Sequence, residues 1–145
     1  MNDIDQQRAN HALKEIQNLK TQGYNTYGKY VSYVKALPAT ILQIGLGQAL
    51  ATEFSSSGND NDTGKGHDCL FKSLCNWLGR NEKEAPYSNT AMSFDGILAA
   101  LTNGTQEEYT YAQYEAIAYL DWLKKFAVAL LEQDNPANST GDSHE

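Results

Sequence analysis

The run Leu37-Pro38-Ala39-Thr40-Ile41-Leu42-Gln43-Ile44-Gly45-Leu46-Gly47-Gln48-Ala49-Leu50 constrains this chain more than any other segment. It reads as a helix opening at Pro38, since proline lacks the N–H that a first helical position leaves unpaired and already holds a helical φ. Such a helix extends to about Phe54. Gly45 and Gly47 each cost about 1 kcal/mol relative to alanine in a helix interior. A chain that carries both within three residues gains close backbone approach to another helix, another subunit or a phosphate. A dinucleotide loop needs a preceding strand and a third glycine, and position 50 is Leu50. Packing against a helix or a subunit is therefore the expected role of Gly45 and Gly47.

The flanking segments are helical too. Asp3 to Gln6 resembles a capping box, and Ala9, Ala12, Leu13, Ile16 and Leu19 form one apolar face before a stop at Gln22-Gly23. A second helix is expected from Thr26 to Ala36, ending or kinking at Leu37 because the residue before proline disfavours the α region. Ser55 to Gly66 has the composition of a flexible exposed loop. His67 to Arg80 buries Leu70, Phe71, Leu74, Trp77 and Leu78, and Asn81 to Asn89 is a polar connection. Ser93 caps a short helix carrying Phe94, Ile97, Leu98 and Leu101. Thr105-Gln106-Glu107-Glu108 is a capping box for a last helix of about 26 residues, on the order of 40 Å long. Its stripe is Ala112, Ala116, Tyr119, Leu123, Phe126 and Leu130, and Asn135-Pro136 ends it. No segment alternates with a two-residue period. The expectation is an all-α, compact single-domain bundle of about five to six helices over residues 1–132, with a flexible loop at 55–66 and a disordered tail at 133–145.

Several function classes fall away. Cys69 and Cys75 lie about 240° apart on one helix, so they share neither a disulfide nor a metal, as suits a reducing cytoplasmic setting. The polar, acidic start does not read as a secretory leader, so the sequons at Asn61, Asn103 and Asn138 are expected to be turn and capping residues. His11 and Glu15 sit one turn apart without the facing Glu-x-x-His pairs of a di-metal bundle, and no nucleophile has a base beside it. Neither catalysis, a metal nor a cofactor is expected. A net charge of −7 opposes nucleic-acid binding through bulk charge. Between Arg8 and Leu50, however, five cations (Arg8, Lys14, Lys20, Lys29 and Lys35) face one anion, Glu15, a local +4. Tyr24, Tyr27, Tyr30 and Tyr33 interleave with these lysines; Tyr27 and Tyr30 are expected in the core and Tyr33 at the surface, with Lys29 opposite the apolar stripe.

Taken in order, Arg8-Ala9-x-x-Ala12, Tyr30 and Lys35 before Leu37-Pro38, Ile41, Gly45-Leu46-Gly47-Gln48-Ala49 and Trp77-Leu78 resemble the small subunit of the Cmr complex. So does Tyr109-x-x-Ala112-x-x-Glu115-Ala116-x-x-x-Leu120-x-Trp122-Leu123-Lys124-Lys125-Phe126-Ala127. That complex is the type III-B CRISPR RNA-silencing effector. The resemblance spans Arg8 to Leu130, with Thr110 where a basic residue is common and Gln113 where threonine is common; the latter is expected to matter little. It implies a non-catalytic helical subunit whose copies stack as an inner filament, with other Cmr subunits, guide RNA and target RNA as partners and no membrane. Contacts to RNA are implied to go to phosphates, which position a strand without reading its sequence. With the local charge, it makes Arg8, Lys14, Lys29, Lys35, Lys124 and Lys125 the expected RNA-binding residues. The acidic total and the glycine-bearing helix also suit a helical adaptor that binds proteins and never touches RNA.

Overall fold

A computed structural model describes residues 3–23, 27–58, 61–88 and 94–132. Tyr24, the expected helix start at Thr26, the cap at Ser93 and the tail at 133–145 lie outside the described residues. Among those described there are six helices and no strand: α1 (Asp3–Gln22), α2 (Tyr30–Ile44), α3 (Leu46–Ser56), α4 (Asp62–Leu78), α5 (Phe94–Asn103) and α6 (Gln106–Leu130). The long α6 packs against α1 on one side and α2 on the other, while α3 and α4 pair across the bundle. Among the described residues, no helix is long and apolar enough to cross a membrane.

The apolar stripes read from the sequence supply most of the core, with Ala9, Leu13, Leu98, Phe126 and Leu130 only partly buried. Ile16, Tyr30, Ile41, Leu46, Leu50, Leu70, Phe71, Leu74, Trp77, Leu78 and Tyr119 are fully buried. Helix ends follow side-chain chemistry. Gly23 closes α1 at φ +91°, the left-handed conformation that glycine adopts without a Cβ clash. Thr105 and Glu108 exchange both capping-box hydrogen bonds at the start of α6. The end of α4 is capped by Arg80, which donates to the Trp77 carbonyl at 2.7 Å and lies 3.6 Å over the Trp77 ring.

Two expectations are corrected. The helix does not end at Leu37 to restart at Pro38, since α2 runs through Pro38 to Ile44. Proline forfeits one backbone bond there, but Val34, Leu37 and Ile41 on either side of it are buried, and that packing holds the helix together. The break falls at Gly45, which takes φ +87° and ψ +158° and separates α2 from α3. Gly45 is thus no interior helical glycine.

The loop expected over 55–66 is also shorter. The α4 helix starts at Asp62, with the Asn61 side chain accepting from the Gly64 N–H. Gly64 and Gly66 are buried in this first stretch. A Cβ on Gly66 would stand 2.9 Å from the Tyr33 ring, so glycine is what lets α4 approach α2. Tyr33 in turn stacks on His67 with centroids 3.9 Å apart, and His67 meets the buried Glu53 at 2.9 Å. Burial pushes the Glu53 carboxyl above its ordinary value despite that contact.

Candidate nucleic-acid interface

The break at Gly45 sets the register of α2 and α3 against α6. A helix start leaves backbone donors without intrahelical partners, and here α6 supplies partners for two of them. The Leu46 N–H donates to Gln113 Oε1 at 3.0 Å, and the Gly47 N–H donates to Tyr109 Oη at 2.9 Å. Gly45 and Gly47 therefore pack against α6, with Tyr109 lying where a larger residue at 45 would reach. Gln113, expected to matter little, holds one of the two bonds.

A second tether fixes α6 against α1. Arg8, expected at the RNA face, is instead buried. Its Nε and Nη2 donate to Glu115 at 3.1 and 2.6 Å, and its Nη1 donates to Asp5 at 3.1 Å. Glu115 also accepts from Trp77 Nε1 at 3.3 Å. The Trp122 indole N–H bonds Asp5 at 3.0 Å and, with Arg8, holds its carboxyl below the usual range. Hydrogen bonding to Glu115 raises the Arg8 guanidinium further. This cation serves the interior. Beside it, His11 Nδ1 meets Tyr119 Oη at 2.7 Å, and burial drives the imidazole down to about 4, so it is neutral at pH 7.

With α6 clamped from both sides, its C-terminal half lies against the middle of α2. Lys35, Lys124, Lys125 and Val128 line one open cleft. Three of the six expected RNA-binding residues are thereby brought together, Lys35 lying 89 and 90 positions before Lys124 and Lys125 in the sequence. Lys35 pairs with Glu132 at 2.5 Å and Lys125 with Asp121 at 3.1 Å, both on the surface, where such pairs are worth about 0–1 kcal/mol. Lys124 has no ion pair among the described residues. A phosphate entering the cleft would meet the Lys124 ammonium and compete with Glu132 and Asp121 for the other two lysines. Lys14 and Lys29 are exposed but do not line this cleft. Lys29 instead lies along α4 near Gly66.

Cys75 is buried and its thiol is pushed up to about 12, while burial also raises the half-buried Cys69. No group of His, Cys, Asp or Glu among the described residues is arranged to hold a metal. Sequence reasoning singled out Lys35, Lys124 and Lys125 but missed the groups that position them: Tyr109, Gln113 and Glu115 on α6. All three fall within one resemblance motif, where only contact geometry reveals their partners. Over residues 4–130 the sequence matches the family model described as CRISPR-associated protein (Cas_Cmr5).

Proposed function

This chain belongs to the Cas_Cmr5 family, the small subunits of the Cmr (type III-B) CRISPR effector, and we propose that it is a non-catalytic cytoplasmic subunit that supports RNA in that effector. Copies stack as an inner filament beside the subunits that hold the guide RNA, and the lysine cleft faces the strand. The observation that carries this reading is the convergence of Lys35, Lys124 and Lys125 on a chain whose net charge is −7. Such a local concentration of ammonium groups, on an otherwise repulsive surface, suits phosphate contacts that hold a strand without reading it. Lys14 and Lys29 add peripheral contacts, and Arg8 acts indirectly by fixing α1 on α6.

The test is RNA binding by the reconstituted effector carrying Lys35→Ala, Lys124→Ala and Lys125→Ala together. Each single-strand phosphate contact contributes about 0.7 to the slope of log affinity on log salt, so each copy loses about 2 units of slope. A Lys14→Ala, Lys29→Ala pair has the smaller effect. Unchanged affinity and slope in the triple variant, with the complex assembled normally, overturn the reading and leave the protein-only adaptor.

A further inference from the structure

A second opening lies beside the lysine cleft on the same α2–α6 seam. Pro38, Tyr114, Ile117, Ala118, Asp121 and Lys124 line a groove of about 370 Å³, and Lys124 belongs to both openings. The groove is mostly apolar along Pro38, Ile117 and Ala118. Tyr114 is 63% exposed, and the buried Arg8 guanidinium lies 5.9 Å over its ring. One acceptor, Asp121, and one donor, Lys124, complete the lining.

That mixture discriminates between occupants. An apolar partner helix seated here would cover a carboxylate and an ammonium, stripping their water without offering partners. A nucleobase offers two flat faces for the aromatic ring and an edge with both N–H donors and acceptors. Stacking on an exposed aromatic beside cations is a recurrent mode of single-strand binding. The helical rise puts Ile117 about 10 Å and Tyr114 about 15 Å along α6 from Lys124, a distance that a strand covers in a few nucleotides.

We propose that this groove takes an unstacked base of single-stranded RNA against Tyr114, while phosphates of the same strand rest on Lys35, Lys124 and Lys125. The inference builds on the RNA reading of the lysine cleft and adds a contact that depends on the base being present. In it, Arg8 is a positioning residue that holds the Tyr114 ring from within.

The experiment uses the reconstituted effector and target RNA carrying 5-iodouridine at successive positions. Irradiation is expected to give an adduct on Tyr114, located by mass spectrometry. Tyr114→Leu is expected to weaken RNA binding about fivefold or more. An abasic site at the crosslinking position is expected to erase the difference between wild type and variant. Absence of the adduct, with Tyr114→Leu binding like wild type while the triple lysine variant binds weakly, overturns the base groove and leaves the phosphate reading standing. Loss of neither interaction overturns both. A photoreactive group at position 114 that captures a neighbouring protein subunit instead of RNA overturns the proposal in favour of a protein interface.

Discussion

Replacing Gly45 with alanine probes the joint that sets α2 and α3 against α6. Gly45 holds φ +87° and ψ +158°, a region essentially reserved for glycine, where another residue costs about 1–3 kcal/mol. A Cβ would also stand 2.9 Å from Tyr109 Oη. Tyr109 cannot simply swing aside, because its hydroxyl accepts from the Gly47 N–H, a bond worth about 1 kcal/mol. The two effects together come to about 2–4 kcal/mol. With unfolding entropy near 2.1 cal/mol/K per residue, each 1 kcal/mol is about 3 °C for a chain of 145 residues, so Gly45→Ala lowers the midpoint by about 7–13 °C.

Thermal unfolding followed by far-UV circular dichroism measures this directly, with Gly47→Ala as the comparison. A Cβ at 47 meets Tyr109 only at 3.6 Å, and alanine is the better helix former by up to about 1 kcal/mol. Gly47→Ala is therefore expected to be neutral or stabilising. In a Tyr109→Phe background the hydroxyl contact is gone, so the further cost of Gly45→Ala shrinks towards backbone strain alone. Equal effects of the two glycine variants, or a Gly45→Ala midpoint within a degree or two of wild type, would refute the reasoning.

Two further outcomes follow from the interior. Glu115→Ala leaves Arg8 buried without its main partner and is expected to cost about 3–5 kcal/mol. The Arg8→Met, Glu115→Met double variant should cost less than the sum of its singles, and additivity in denaturant unfolding would show that the pair is not coupled. His11 titrates at about 4 when folded against 6.5 when free, chiefly through burial, then the charges of Arg80 and Lys14. The unfolded chain binds that proton more tightly, so this stabilisation is complete above pH 6.5 and is lost as the pH falls towards 4, by about 3 kcal/mol. Denaturation midpoints at pH 7.5 and 4.5 should converge in His11→Asn; an unchanged gap would remove His11 as the cause.

Much of the bundle was legible because it rests on local periodicity. The stripes Leu70, Phe71, Leu74, Trp77 and Leu78, the stop at Gly23 and the box at Thr105 and Glu108 are each written within a few residues. Pro38 misled for the same reason. Its local rule predicts a boundary, but burial of Leu37 and Ile41 outweighs one missing bond. Gly64 and Gly66 read as loop residues but are helical, and Gly66 lets α4 reach Tyr33, a contact no local rule contains.

The site divides along the same line. Sequence alone set the all-α class, the surplus of cations before Leu50 and the Lys124-Lys125 pair, since charge and apolar spacing are properties of residues and their neighbours in the chain. It placed Arg8 among the RNA contacts because charge by itself does not say which way a side chain turns. Only the tertiary structure brought Glu115 to Arg8, withdrew that cation from the surface and joined Lys35 to Lys124 and Lys125 across the α2–α6 seam. Pairings between distant residues follow from how helices pack, and packing is fixed by the whole bundle at once.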